Sequence, residues 1–252
     1  MVRAKKRTKK SSKPSVKAGV KTLAIDIGGT GLKALVLDAR GEPLTQRQRV
    51  ETPRPATPEA IVNALVALVK PLGTVGFDRI SVGFPGVVVG GATRTAPNLH
   101  EGWTNFELRE SLEHRLKKPA RVLNDAGVQG FGVIEGKGVE MVITLGTGFG
   151  TALYQDGRLC PHLEISQQPF QKGETYDERL GNAGRKKVGN RKWKKRVFAA
   201  IENLRVLTHF DHLYVGGGNS RRLDGDLPED VTVVDNAAGL IGGAKLWQAL
   251  GE

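Results

Sequence analysis

The sequence predicts an α/β protein built from two related lobes that face a common cleft. A strand, a glycine-rich turn and a second strand occur near residue 25 and again near residue 145, about half a chain apart. Apolar alternation typical of strands is interspersed with apolar residues at helical spacing along the rest of the chain. A length of 252 residues suits two lobes that share a cleft.

The first half of the chain opens with three strands joined by tight turns, followed by helices and further strands. Threonines ahead of helical patterns supply the predicted caps. In chain order the pattern predicts strands at 23–27, 34–37 and 44–50, a helix capped by Thr57 with Pro58 at its first position, a strand at 79–84, a helix opened by a capping box over 104–107, and a strand at 121–123.

The second half repeats this organisation. The turn Gln155-Asp156-Gly157-Arg158 is typical of a hairpin. The other predicted elements are strands at 141–145, 151–154, 213–215 and 231–234, a helix with an apolar face of Trp193, Val197, Ile201 and Leu204, and a last helix around Leu240, Ala244 and Trp247. We therefore expect lobes at 21–125 and 126–236, followed by a C-terminal helix at 237–250.

Charge is concentrated at the N-terminus. The chain has a formal net charge of +12, and residues 1–17 contain eight basic residues and no acid. With almost no large apolar residue, residues 1–20 are expected to be a disordered tail. Two interpretations stay open for it: attachment to a polyanion such as nucleic acid or polyphosphate, or a solvated extension without a specific role.

Several classes of protein are disfavoured by the composition. Cys160 is the only cysteine, so an intrachain disulfide is excluded and no zinc site is expected. The basic start is not followed by the apolar run of a secretory signal, and Asp26 interrupts the first candidate. No segment has the apolar length of a membrane span. These features favour a reducing, cytoplasmic setting.

Two glycine-rich turns carry the first chemical signal. Glycines leave backbone N–H groups free to point at an anion, and two such turns in corresponding positions would hold a phosphate chain from both sides. Asp26 would end the preceding strand, where it is suited to a hydrated Mg²⁺. The candidate phosphate-binding residues are Gly28, Gly29, Thr30, Lys33, Gly146, Thr147 and Gly148.

Asn124 and Asp125 follow a short apolar strand. A carboxylate at a strand end can accept a hydroxyl proton, while Asn124 holds the substrate by hydrogen bonds. An Asn-Asp turn that caps the next helix is an equally good interpretation of the same two residues.

Taken together, the motifs resemble the ROK (repressor, open reading frame, kinase) family of sugar kinases, in particular its polyphosphate/ATP glucokinases. Six motifs occur in the family's order between about residues 22 and 250: Asp-Ile-Gly-Gly-Thr-Gly-Leu-Lys, Gly-Phe-Pro-Gly-Val, Pro-Asn-Leu, Leu-Asn-Asp-Ala, Leu-Gly-Thr-Gly-Phe-Gly and Val-Gly-Gly-Gly-Asn. The resemblance implies two actin-like ATPase (ribonuclease H-like) lobes with sugar in the cleft, and a C-terminal helix at 237–250 that packs back on the first lobe. Family members are often dimers, so a homodimer is also an expectation.

The resemblance also implies roles for individual residues. Asp125 would be the base that activates the sugar 6-hydroxyl. Asn98, Asn124, Glu164 and Gly86 would bind the sugar. A nucleotide, if one is used, would lie near Gly216, Gly217 and Gly218.

The chain departs from the family pattern after Glu164. Gln167 stands where many members have a histidine, and the zinc-binding cysteines of those members are missing, as they are in the polyphosphate branch. His162 is one candidate to replace that histidine, and a solvated side chain is the other interpretation. A further family acid would fall at Asp177 or Glu178.

A strongly basic segment spans residues 185–196. Its predicted helix carries an apolar stripe on one face. Three interpretations stay open: contact with polyphosphate, a solvated helix face, and, least favoured, contact with nucleic acid. The residues expected to bind polyphosphate are Lys186, Lys187, Arg191, Lys192 and Lys195.

The predicted function is transfer of a phosphoryl group from polyphosphate or ATP to the 6-hydroxyl of glucose, with Asp125 as base and Mg²⁺ as cofactor. The alternatives are an ATP-dependent kinase for another hexose and a catalytically weak protein that binds sugar or polyphosphate. A sugar-sensing repressor is disfavoured, because residues 1–20 are too short and too polar for a helix-turn-helix.

Overall fold

A computed structural model describes residues 19–223, 225, 227–235 and 238–249. The predicted basic tail therefore lies almost entirely outside the described residues. None of the helices in these ranges is long and apolar enough to cross a membrane.

The first half of the described chain contains seven strands and three α-helices. They are β1 (Thr22–Ile27), β2 (Leu32–Leu37), β3 (Gln48–Val50), α1 (Pro58–Val69), β4 (Arg79–Phe84), β5 (Val88–Val89), β6 (Ala92–Thr93), α2 (Leu108–Leu116), β7 (Ala120–Asn124) and α3 (Asp125–Phe131).

The second half contains seven further strands and three α-helices. They are β8 (Val139–Leu145), β9 (Phe149–Gln155), β10 (Arg158–Leu159), β11 (Pro169–Gln171), β12 (Glu174–Thr175), α4 (Tyr176–Leu180), α5 (Asn182–Thr208), β13 (His212–Gly216), β14 (Val231–Val233) and α6 (Ala238–Ala249).

The two halves form two five-stranded sheets of the same topology. The first has the order β3-β2-β1-β4-β7 and the second the order β10-β9-β8-β13-β14. In each, the first three strands in sequence form an antiparallel meander and the other two run parallel to the meander's first strand. This duplication is the one that the repeated strand–turn–strand pattern predicts.

Each sheet covers its own hydrophobic core. In the first lobe α1 buries Ile61 and Leu65 against the sheet, and Thr57 caps the helix by accepting a hydrogen bond from Ala60 N at 3.3 Å. In the second lobe α5 buries the predicted stripe that includes Trp193, whose indole donates to Leu180 O at 2.8 Å. Helix α1 therefore begins at its predicted cap, and α5 buries its predicted apolar stripe.

Helices α3 and α6 lie between the two sheets. Helix α3 contacts β4 of the first sheet and β8 and β9 of the second, and α6 packs on α3, β1 and β4. At the C-terminal end of α6, the indole of Trp247 donates to Ser81 Oγ at 3.0 Å. Ser81 Oγ in turn donates to Gly243 O at 2.6 Å. The last helix thus packs against elements of the first lobe.

Two local predictions are wrong. The third strand begins at Gln48 rather than at residue 44, because the hydroxyl of Thr45 accepts the N–H of Val36 at 3.0 Å and occupies a position in the ladder. The capping box at 104–107 does not form. Phe106 is held in a β-bridge with Thr93, and the helix begins only at Leu108.

The contact between α3 and α6 yields a test of the packing. A Cβ atom at Gly242 would collide with the carbonyl oxygen of Val128, whereas a Cβ at Gly239 meets nothing within 4 Å. We expect Gly242→Ala to lower the free energy of unfolding by about 1–3 kcal/mol. Gly239→Ala, in the first turn of the same helix, should leave it unchanged or raise it by less than about 1 kcal/mol. Urea unfolding measures both, and equal effects would contradict the close approach of the two helices.

Candidate active site

A cleft with a volume of about 660 Å³ lies between the lobes. It is lined where β1, β4 and β7 end in the first lobe and where β8 and β13 end in the second. The carboxyl ends of parallel strands are the usual ligand-binding edge of an open α/β sheet.

The two glycine-rich turns face each other across the cleft. A Cβ atom at Gly29 would lie 3.6 Å from Thr147 Cγ2, at van der Waals distance. A side chain on Gly148 would collide with Asp177 and approach the amide of Asn98. The predicted residues of both turns, Gly28, Gly29, Thr30, Gly146, Thr147 and Gly148, all line the cleft. Their backbones can therefore approach one ligand from opposite sides.

Asp26 and Lys33 form an ion pair in the cleft, with Lys33 Nζ 2.7 Å from Asp26 Oδ2. Lys33 thus neutralises Asp26 rather than pointing freely at the ligand. Within the described ranges no group of three or more His, Cys, Asp or Glu side chains could hold a metal ion. A single carboxylate still fits Mg²⁺, because this ion keeps several waters and takes its other ligands from substrate phosphates.

Asp125 lies at the N-terminal end of α3, at the floor of the cleft. Its carboxylate accepts a hydrogen bond from Ala126 N at 2.8 Å. Burial raises the pKa of Asp125 to about 7, and the negative charges of Asp26 and Glu164 contribute to the rise against the effect of the Ala126 N–H. A carboxyl group with a pKa near neutrality is suited to take up a proton from a substrate hydroxyl.

Asn124 combines the two interpretations that the sequence left open. Its Oδ1 accepts from Ala126 N at 3.0 Å and caps α3. Its Nδ2 donates to Gly86 O at 3.1 Å and fixes the loop after β4. Capping and a position in the cleft are therefore compatible, and Asn124, Gly86 and Asn98 all border the same space as Asp125.

Glu164 lies on the wall contributed by the second lobe. His162 Nε2 is 3.1 Å from its Oε2, and Ser166 donates to its Oε1. Burial alone would raise the pKa of Glu164, but these hydrogen bonds outweigh burial and lower it. Gln167 does not line the cleft and donates instead to Ser166 Oγ at 3.1 Å. His162, which does line the cleft, is thus the histidine that partners Glu164.

The structure also separates the two acids that follow. Asp177 lines the cleft and accepts from Phe149 N at 2.7 Å. Its pKa is raised, first by burial and then by the charge of Glu164. Glu178 faces elsewhere, because it completes a capping box with Thr175 at the start of α4. Of these two acids, only Asp177 is therefore placed to contact a ligand in the cleft.

Of the predicted nucleotide-binding glycines, two border the cleft and one does not. Gly217 adopts φ +88°, and a Cβ there would press on the backbone of Leu145. Gly218 is exposed at the cleft. Gly216 is the buried last residue of β13 and packs under the side chain of Gln129 instead.

Cations border the cleft on both lobes. Arg47 and Arg49 come from the segment before and within β3, while Arg185, Lys186 and Arg222 come from the second lobe. The guanidinium of Arg185 donates to the side-chain oxygens of Asn182 and Asn190, each at 2.9 Å, and forms no ion pair with an acid of the described chain. This positive lining is suited to a polyanionic ligand.

Arg47, Arg49 and Arg222 were not identified as site residues from the sequence. Arg47 and Arg49 are two residues apart in a predicted strand and so share one face, which is the signal that could have identified them. Arg222 ends a three-residue 3-10 helix, Ser220–Arg222, after β13 and carries no such pattern.

The basic segment divides into three groups. Lys186 borders the cleft. Lys187 forms an ion pair with Glu174, at 3.3 Å. Arg191, Lys192 and Lys195 are exposed on α5 beyond the kink at Gly189, outside the lining of the cleft.

Comparison with known proteins identifies the family. Residues 22–161 match the ROK family profile. The chain is 31% identical over 263 residues to a polyphosphate glucokinase of Mycobacterium leprae, an alignment that covers 94% of this chain and 79% of that protein. The chain belongs to the ROK family, and the predicted membership is confirmed.

Solved structures confirm the fold class. The inorganic polyphosphate/ATP-glucomannokinase of Arthrobacter sp. strain KM superposes with a TM-score of 0.81 at 31% identity, covering 90% of this chain and 97% of that one. A ROK family glucokinase of Streptomyces griseus, in complex with glucose and AMPPNP, has a TM-score of 0.74 at 22% identity, covering 90% and 99%. The fold is that of the two-lobed actin-like ATPases.

The raised pKa of Asp125 predicts a pH-dependent stability. A carboxyl group that has a pKa near 4 when unfolded and about 7 when folded destabilises the fold as the pH rises through this interval. We expect Asp125→Asn to be more stable than the wild type at pH 8, by at most about 4 kcal/mol because the carboxylate borders the cleft. The difference should vanish by about pH 4.

Thermal unfolding of both proteins between pH 4 and pH 8 makes this comparison. Asp156→Asn, in the exposed turn between β9 and β10, is the matched control and should give no such gain. A gain from Asp125→Asn that stays constant with pH would show that the Asp125 carboxyl is not perturbed.

Proposed function

We propose that the protein transfers the terminal phosphoryl group of polyphosphate to the 6-hydroxyl of glucose. The observation that carries the proposal is the carboxyl group of Asp125, which has a pKa raised to about 7 and lies in the cleft beside the two facing glycine turns. Support comes from relatives named polyphosphate glucokinase and from the similarity to a polyphosphate/ATP-glucomannokinase.

In this proposal the two ends of the cleft bind different substrates. Asn98, Asn124, Glu164 and its partner His162 supply hydrogen-bonding groups for sugar hydroxyls. The turns at 28–30 and 146–148 and the cations on both walls face the phosphate chain. Such a division brings the sugar oxygen and the phosphorus together, which is the main contribution of a protein to phosphoryl transfer.

The reaction then needs one proton transfer. The sugar O6 attacks the terminal phosphorus as its proton passes to the Asp125 carboxylate, and the bond from that phosphorus to the bridging oxygen breaks. The shortened polyphosphate leaves with the electron pair. With a pKa near 7, Asp125 can exist as a carboxylate at physiological pH and still accept the proton.

Mg²⁺ would bind beside Asp26 through water and neutralise charge on the phosphates. Lys33, whose Nζ is 2.7 Å from Asp26 Oδ2, balances the charge of this carboxylate. The cytoplasmic location and the homodimer stay predictions, the first supported by a chain whose single cysteine permits no internal disulfide.

The basic residues favour polyphosphate over ATP as the donor. Cations line the cleft on both lobes, and Arg191, Lys192 and Lys195 continue along one exposed face of α5. No ion-pair partner is present for these three side chains in the described part of the chain. We expect a chain longer than a triphosphate to extend from the cleft onto this face and offset its charge repulsion.

A coupled assay for glucose 6-phosphate tests the proposal. The purified protein would receive glucose and Mg²⁺ with long-chain polyphosphate or with ATP in parallel, and mannose would replace glucose in a second series. We expect product from glucose and polyphosphate. Asp125→Asn should lower kcat about 10²- to 10⁴-fold and keep its glucose affinity.

The other outcomes are also informative. Product from ATP alone would identify an ATP-dependent kinase and leave the basic face of α5 as a solvated surface. Glucose binding without turnover from either donor would identify a binding protein. Full turnover by Asp125→Asn would remove this residue from the base role.

The role of the basic face has its own test. We expect the triple substitution of Lys186, Lys192 and Lys195 by Gln to raise the KM for polyphosphate about tenfold at 0.15 M salt. The salt dependence of log KM should become shallower by roughly 0.7 to 1 for each lysine–phosphate interaction that the substitutions remove. The KM for glucose should not change.

The matched control replaces Lys70, Lys118 and Lys245 by Gln, which removes the same charge from exposed positions outside the cleft. Steady-state kinetics over a salt series compares the two triple variants. Equal KM values for polyphosphate would show that net charge alone matters and would contradict a specific contact.

A further inference from the structure

Gln129 lies on α3 four residues after Asp125, so the two side chains share one face of the helix. The residue is only 7% exposed, and it borders the cleft. Its Nε2 atom is fully buried and has no hydrogen-bond partner among the described residues. Neither the sequence motifs nor the proposed mechanism gives this side chain a role.

The surroundings of Gln129 place its amide next to the glycine turn of the second lobe. A Cβ atom at Gly216 would collide with the amide, so only a glycine leaves room for it there. Gly216 pairs with Thr144 across the sheet, and Gly217 and Gly218 continue from it into the lining of the cleft. The amide therefore lies between the helix that carries Asp125 and the turn at 216–218.

A buried amide nitrogen without an acceptor is costly, and native proteins seldom retain one without a use for it. Phosphate oxygens are strong acceptors, and a hydrogen bond to a charged acceptor is about twice as strong as one between neutral groups. Gln129 borders the cleft, so a phosphate chain bound there would lie beside its side chain.

We propose that Gln129 binds the phosphoryl donor by donating a hydrogen bond from Nε2 to an oxygen of its phosphate chain. This inference rests on the proposed function, and it identifies a donor contact on the same helix as the base. Since Gln129 and Asp125 are one helical turn apart, a phosphate held by Gln129 lies close to the proton acceptor.

The test compares Gln129→Met with the wild type. Methionine has a similar length and no N–H donor. We expect the KM for polyphosphate to rise about tenfold or more, while the dissociation constant for glucose, measured by calorimetry without donor, stays within about twofold. Gln129→Glu should raise the KM for polyphosphate further, because it places a negative charge beside the phosphates.

Gln155→Met, at an exposed position at the end of β9, is the matched control and should behave like the wild type.

Structural effects are separated by thermal unfolding. Removing the unpaired N–H should leave the Tm of the ligand-free Gln129→Met protein equal to or above that of the wild type. The additional rise in Tm on adding tripolyphosphate should be smaller than in the wild type. A wild-type KM for polyphosphate in Gln129→Met would overturn the inference and leave the proposed function intact.

If the wild type transfers no phosphoryl group, the proposed function fails, and calorimetric binding of tripolyphosphate decides the inference by itself. Weaker binding by Gln129→Met than by the wild type would support the contact. Equal binding, or no binding by the wild type, would overturn it.

Discussion

The Asp125 carboxyl group lies at the cleft between the two lobes, where burial raises its pKa and the charges of Asp26 and Glu164 disfavour its ionisation further. Each of those neighbouring acids is itself compensated, Asp26 by Lys33 and Glu164 by His162 and Ser166. Asp125, whose pKa is raised to about 7, is thus the one of these three acids that can gain a proton near neutral pH. Helix α3, packed against both sheets, fixes that group in position.

Glycine determines how closely the rest of the site can approach this carboxyl group. A side chain at Gly148 or Gly150 would meet Asp177 or Thr144, and a Cβ at Gly29 would already touch Thr147. These positions leave the backbone as part of the lining of the cleft, and backbone N–H groups in such turns can bind phosphate. The two lobes therefore contribute equivalent turns to one site, and the duplicated topology gives this equivalence a structural origin.

The sequence predicts the duplicated fold because strand–turn–strand units and apolar spacing are local signals. The sequence does not predict the places where tertiary contacts override these local signals. The bridge between Thr93 and Phe106 delays α2, and Thr45 interrupts the third strand. Both cases depend on a partner that is distant in the chain or lies in a neighbouring strand.

In the candidate site, too, residues in local motifs could be predicted and residues placed by tertiary contacts could not. The glycine turns, Asn124 and Asp125 stand in motifs and could be identified from the sequence. Arg222 and Gln129 could not, because only the meeting of the two lobes brings them to the cleft. The choice between Asp177 and Glu178 likewise depends on which one caps α4, and neighbouring acids give no local signal for that choice.

The most direct measurement is a ¹³C NMR titration of the aspartate carboxyl groups of the ligand-free protein, with Asp125→Asn used to assign the resonance of Asp125. The account predicts a midpoint near pH 7 for Asp125. A midpoint near pH 4, the value of an unperturbed aspartate, would contradict the claim that the cleft holds this carboxyl group ready to accept a proton.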